Sequence, residues 1–136
     1  MALVFDTSLR DSYVAHARLV GPFNYLNADG QETGMMLGAT KDTYAKISLL
    51  YDASGGAILQ FVLEQRGIPL PPTYQILPDV DSIKTLDLII VANPETATLL
   101  PIYMANGQNP QIIVPEGVRI KGASIPICNS YSVLII

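Results

Sequence analysis

His16 and Cys128 are the only histidine and the only cysteine in the chain, and they bound the chemistry it could perform. A single histidine excludes a His–His metal site within one chain. A Cys–His pair would need a thiol activated by its surroundings, and neither residue sits in a sequence context that lowers a thiol pKa. The reading is a buried small thiol and a surface imidazole. There is no Gly-x-Ser-x-Gly elbow, no phosphate-cradling loop ending in Gly-Lys-Ser/Thr and no Gly-x-Gly-x-x-Gly. Asp79 and Asp81 form the best carboxylate pair. They would share one face of a strand, contribute to a Ca²⁺ loop, or cap the following segment. A Ca²⁺ loop needs more oxygen ligands at close spacing, and Asp87 and Glu95 lie beyond the next run, so turn capping is the preferred reading. Asp29-Gly30 and Asn106-Gly107 are turn formers. A sugar site usually stacks rings on aromatic platforms, and with no Trp a lectin role would rest on the seven Tyr. The expectation is a binding or assembly protein, with no catalytic residue, cofactor or metal.

Composition narrows the partners. Of 136 residues, 49% are apolar and only 15% charged, against about 25% charged in an average domain. So few charges cover a lone globule poorly, which points to a surface covered by a partner and to an oligomer. The net charge is −4, and no two of the eight Lys and Arg are adjacent. A nucleic-acid binder needs a clustered basic footprint, so that class is excluded. No apolar stretch approaches the ~18 residues of a spanning helix. The opening Met1–Asp6 has no basic region before its short apolar run, which argues against a signal peptide. One cysteine allows no intrachain disulfide, so folding in cytoplasm is expected.

The elements that must position these groups read as strands. Residues 86–92, 97–105, 111–114, 118–121 and 131–136 are short apolar runs separated by Asn93-Pro94, Asn106-Gly107 and Pro115-Glu116-Gly117. Such punctuation marks a sandwich or barrel. Ten prolines also oppose long helices, and Pro101 implies an edge strand or a bulge. The closing run, Tyr131 to Ile136, is apolar on both faces and is expected to be buried in the sandwich or an interface. Ile47, Leu49 and Tyr51 alternate before a Gly-rich turn, and Ala57, Leu59, Phe61 and Leu63 share the next face. This reads as a hairpin. A helix over 57–66 with Gly67 at its end is the rival, disfavoured because neighbouring segments are β.

The first 40 residues have a different character. Residues 9–20 fit a short helix or a strand equally. Residues 24–42 carry three Gly and no clean period, and read as a long loop or extended arm. Two readings stay open for Met35, Met36 and Leu37. They tuck into the domain's own core, or they join Tyr25 and Leu26 in a partner-contact surface, a role that suits flexible Met. The fold class expected is therefore mostly β: one β-sandwich, jelly-roll-like, over residues 41–136 behind an N-terminal arm over residues 1–40.

The stretch from Gln111 to Ile136 (QIIVPEGVRIKGASIPICNSYSVLII) resembles the C-terminal parts of small virion proteins of tailed bacteriophages. ISLLYDASGGAILQFVL and LIIVANPETATLLPIYM extend the likeness over roughly residues 45–136. The family it is most similar to is the head-decoration or cement proteins, which bind the outside of capsids, commonly as trimers. The resemblance implies a structural virion protein: a homotrimer on a major capsid protein lattice, with no catalytic residues. The alternative is a receptor- or glycan-binding β-sandwich module of a viral fibre.

Overall fold

Thr43–Asp52 and Gly56–Gln65 pair antiparallel, with Ile47 opposite Phe61, Leu49 opposite Leu59 and Tyr51 opposite Ala57. This is the expected hairpin, with the expected set of residues on one face. In the computed structural model the described residues are 2–5, 12–40, 42–53, 56–70, 73–77, 79–93, 95–96, 98–113, 118–119 and 131–135. Cys128 and the Pro115-Glu116-Gly117 turn lie outside them.

Among these residues the chain is mostly β. In order the strands are β1 (Ala2–Phe5), β2 (Tyr13–Val20), β3 (Glu32–Thr40), β4 (Thr43–Asp52), β5 (Gly56–Gln65), β6 (Ile68–Pro69), β7 (Thr73–Ile76), β8 (Thr85–Asn93), β9 (Thr98–Ala105), β10 (Gln111–Ile112), β11 (Val118–Arg119) and β12 (Tyr131–Ile135), with one 3₁₀ turn at Val80–Ser82. They form two antiparallel sheets. The larger runs β1-β12-β3-β4-β5-β6, with β7 also on β5; the smaller runs β10-β9-β8-β2, with β11 also on β9.

The two sheets share one apolar core, the arrangement of a β-sandwich. Period-2 alternation supplies it. Met35 and Leu37 of β3, Ala45, Ile47 and Leu49 of β4, and Leu59, Phe61 and Leu63 of β5 face Ala17 and Leu19 of β2, Leu86, Leu88, Ile90 and Ala92 of β8, and Leu99 and Tyr103 of β9. Close packing of such side chains makes each of them costly to truncate.

Three expectations need correction. Residues 24–42 are not a loop or arm throughout, because β3 occupies Glu32–Thr40 and pairs with both β4 and β12. Together with β2 it places much of residues 1–40 inside the two sheets, so the boundary at residue 40 does not separate an arm from a domain. Glycines hid the period. Met35 and Leu37 face inward, while the alternate positions include Gly34 and Gly38, which carry no side chain to mark the outer face. Gly34 is required there: a Cβ would stand 2.3 Å from the Ile47 carbonyl oxygen.

Pro101 is the second correction. It lies in β9, flanked on one side by β8 and on the other by β10 and β11, and is neither at an edge nor at a bulge. Its carbonyl accepts from the Ile113 N–H at 3.0 Å. Its nitrogen points to that same side, where the ladder passes from β10 to β11, so no bond to β8 is lost.

The third concerns Asp79. It adopts a left-handed conformation (φ 52°), and its carboxylate makes no capping bond. The turn is closed instead by its main-chain carbonyl, which accepts from the Ser82 N–H at 2.8 Å and the Ser82 Oγ–H at 2.7 Å. The other turn formers behave as read. Asn106 and Gly107 both have positive φ, the pattern of a two-residue type I′ turn, and Gln108 N–H closes it on the Ala105 carbonyl. Asp29 Oδ1 accepts from the Ala53 N–H at 3.1 Å. The apolar terminal strand β12 lies between β1 and β3 rather than at an edge.

Candidate functional site

The outward residues of β2, β8 and β9 form a grid whose composition is unusual for a solvent face. Register places Val14 beside Val91 and Val91 beside Leu100. The next row is His16, Ile89, Ile102 and Ile112. The third is Arg18, Asp87 and Met104. Alternation puts Leu86, Leu88, Ile90 and Ala92 in the core, so this second apolar set is turned away from it. Val14 is 62% exposed and Ile112 44% exposed, while the residues between them are half-buried.

Asp87 is the polar centre of this face. Its side chain is fully buried, and a buried carboxylate must be paired. Oδ1 accepts from Arg18 Nε at 2.8 Å and lies 2.6 Å from His16 Nε2; Oδ2 accepts from Arg18 Nη2 at 3.2 Å. The forked Arg18 bond holds the Asp87 carboxyl below the usual carboxylate range; burial opposes this, and the His16 contact adds to the lowering. Both partners stay substantially exposed, His16 at 45% and Arg18 at 57%. His16 is thus the expected surface imidazole, but one tied to an aspartate. The sequence reading missed this constellation. Its signal was Asp87 as a lone carboxylate within an apolar run, which demands partners from elsewhere.

A second feature lies at one end of the sandwich. A cleft of about 580 Å³ is lined by Leu77, Asp79, Ser82, Ile83, Tyr103, Ala105, Asn106, Gln108, Asn109 and Gln111. The Asn106 side chain braces its wall: Oδ1 accepts from the Lys84 and Thr85 N–H groups, and Nδ2 donates to the Ser82 carbonyl. Burial raises the pKa of the Tyr103 hydroxyl on its inner side.

The five expected contact residues do not share a surface. Met35 and Leu37 are core residues of β3, and Leu26 is a core residue of the loop before it, at 0%, 5% and 8% exposure. Met35 and Leu37 thus take the core alternative rather than a place on an open contact surface. Met36 lies half-buried on the opposite side of β3, across from Lys46. Tyr25 alone is well exposed, with its ring tilted against Phe23 at a centroid distance of 6.4 Å.

Among the described residues no cluster of three or more His, Cys, Asp or Glu could hold a metal ion, and no helix is long and apolar enough to cross a membrane. Comparison with known proteins returns no match: no family model, no curated protein and no solved structure matches the chain.

Proposed function

We propose that this chain is a structural assembly subunit, of the decoration or cement kind that its sequence resembles, and that it acts by binding rather than by catalysis. The observation that supports this reading is the outer face of the five-stranded sheet. Val14, Ile89, Val91, Leu100, Ile102, Met104 and Ile112 form one contiguous apolar surface there. Large exposed apolar patches mark interaction sites.

The occupant proposed for this face is another copy of the chain. Each copy carries a net charge of −4, so two copies repel at most approaches. This face is an exception, since its one aspartate is neutralised by Arg18. Two copies meeting there would bury apolar surface without opposing like charges. The oligomer proposed is a trimer, as the resemblance implies, presented in many copies to a capsid lattice. Modest contacts per subunit then add up through multivalency. The finer architecture proposed is jelly-roll-like. The chain changes sheet between β1 and β2, between β2 and β3, between β7 and β8, and between β11 and β12, and its late strands β8 and β12 lie beside the early strands β2 and β3.

Light scattering on the purified chain tests the reading. The wild-type protein should be an oligomer at micromolar concentration, and Ile102→Asp should be a monomer with an unchanged far-UV circular dichroism spectrum. The oligomer should also bind capsid shells that lack a decoration protein. A wild-type monomer, or an Ile102→Asp variant that assembles normally, would overturn the assignment of this face.

A further inference from the structure

The end cleft is built from two segments distant in sequence, Leu77–Ile83 with its left-handed Asp79, and Tyr103–Gln111 with its Asn106-Gly107 turn. Its volume of about 580 Å³ lies within the ~300–1,000 Å³ usual for small-molecule sites. Its chemistry is selective. The rim carries one carboxylate, Asp79, and the amides of Gln108, Asn109 and Gln111, while Leu77, Ile83, Ala105 and Tyr103 supply apolar surface. No lysine or arginine is among the lining residues.

We propose that this cleft binds a neutral saccharide, a mono- or disaccharide unit of a glycan. Sugar hydroxyls both donate and accept, which is what a carboxylate beside several primary amides satisfies. A carboxylate accepts from two hydroxyls at once, and an amide donates and accepts on adjacent positions. The apolar C–H face of a pyranose then packs on the Ile83 and Tyr103 side. The Asp79 carboxylate and the side-chain amides of Gln108 and Asn109 have no intramolecular partner among the described residues. Asn106 differs, because its amide is already spent on the Lys84, Thr85 and Ser82 main chain. The wall is therefore rigid while the rim groups are available. Without a cation in the lining, and with Asp79 at the rim, an acidic sugar is disfavoured. The site lies apart from the apolar face of the five-stranded sheet and does not depend on its role.

Saturation-transfer NMR on the full chain tests this with methyl glycosides of glucose, galactose, mannose and N-acetylglucosamine, and with lactose and 3′-sialyllactose. At least one neutral sugar should receive saturation, and 3′-sialyllactose should bind more weakly than lactose. Asp79→Asn keeps a residue that tolerates the left-handed backbone. It should weaken binding about tenfold, the scale of one lost hydrogen bond to a charged group. Asn109→Ala, at an exposed position, should weaken it as well without moving the melting temperature. The proposal is overturned if no neutral sugar receives saturation, if both variants bind as the wild type does, or if 3′-sialyllactose binds as tightly as lactose. Because Ile102→Asp leaves the cleft untouched, saccharide binding by that variant separates this site from the assembly face.

Discussion

Glu32 and Asp87 lie on the outer faces of the two sheets, and they are held by different means. On the seven-stranded sheet Glu32 accepts from Lys46 Nζ at 2.8 Å, Ser48 Oγ at 2.9 Å and Gln60 Nε2 at 2.9 Å. Those donors sit on the two neighbouring strands, β4 and β5, and Ser48 and Gln60 are themselves buried. On the five-stranded sheet Asp87 is buried while its partners His16 and Arg18 remain largely in solvent. The residues beside it are Met104 and, one row on, Ile89 and Ile102. The Glu32 network covers its part of the sheet with the chain's own polar groups. The Asp87 pair only neutralises one charge within an apolar field that the described residues leave open. The larger sheet's outer face also carries half-buried Met36, Leu50, Ile58 and Val62, so the two faces differ in how their carboxylates are held rather than in apolarity alone.

The largest expected effect that would break this comparison is at Gly34. A Cβ there would also stand 2.6 Å from Ser48 Cβ, and neither that strand nor the Ile47 carbonyl can swing away. Gly34→Ala should cost stability at the upper end of the ~1–3 kcal/mol typical of overpacking, and it would displace the Glu32 carboxylate. Urea unfolding measures it. A midpoint equal to wild type would mean that the larger sheet's outer face is looser than described.

Asp87→Ala ranks second. Loss of hydrogen bonds to charged groups costs about 1.5–3 kcal/mol, and the exposed Arg18 left behind can rehydrate. The acid response sharpens the test. The folded-state pKa of Asp87 lies below its ordinary value of 3.8, so its contribution is complete above that value. It fades as pH falls from there through the depressed folded value. Unfolding followed at successive acidic pH values should show this fall in the wild type, and a flatter dependence in Asp87→Asn. Parallel curves would show that the pair contributes nothing. The smallest effect is expected for Ser48→Ala, about 1 kcal/mol, because Glu32 keeps Lys46 and Gln60. A loss as large as that of Gly34→Ala would show that this hydroxyl, rather than the close strand approach, holds the network together.

Much of the fold was legible because it depends on local chemistry. The alternation of Ile47, Leu49 and Tyr51 with Ala57, Leu59 and Phe61 fixes a hairpin and its inner face. The Asn106-Gly107 pair fixes a turn, since few residues tolerate two successive positive φ angles. β3 was not legible, because Gly34 and Gly38 erased one side of its alternation. Without that alternation Met35 and Leu37 stayed open between core and contact surface, and β3 places them in the core. The candidate sites were hardly legible at all. Asp87 stands 71 positions from His16 and 69 from Arg18, and the cleft joins the 77–83 and 103–111 segments.

Periodicity and turn propensity act between neighbours, so the sequence by itself determined that this protein is β, poor in charge and divided by tight turns. Register between distant strands is set by how side chains pack across and between sheets. Only the tertiary structure therefore decided which apolar residues became the core, which became an outer face, and which carboxylate met its partners.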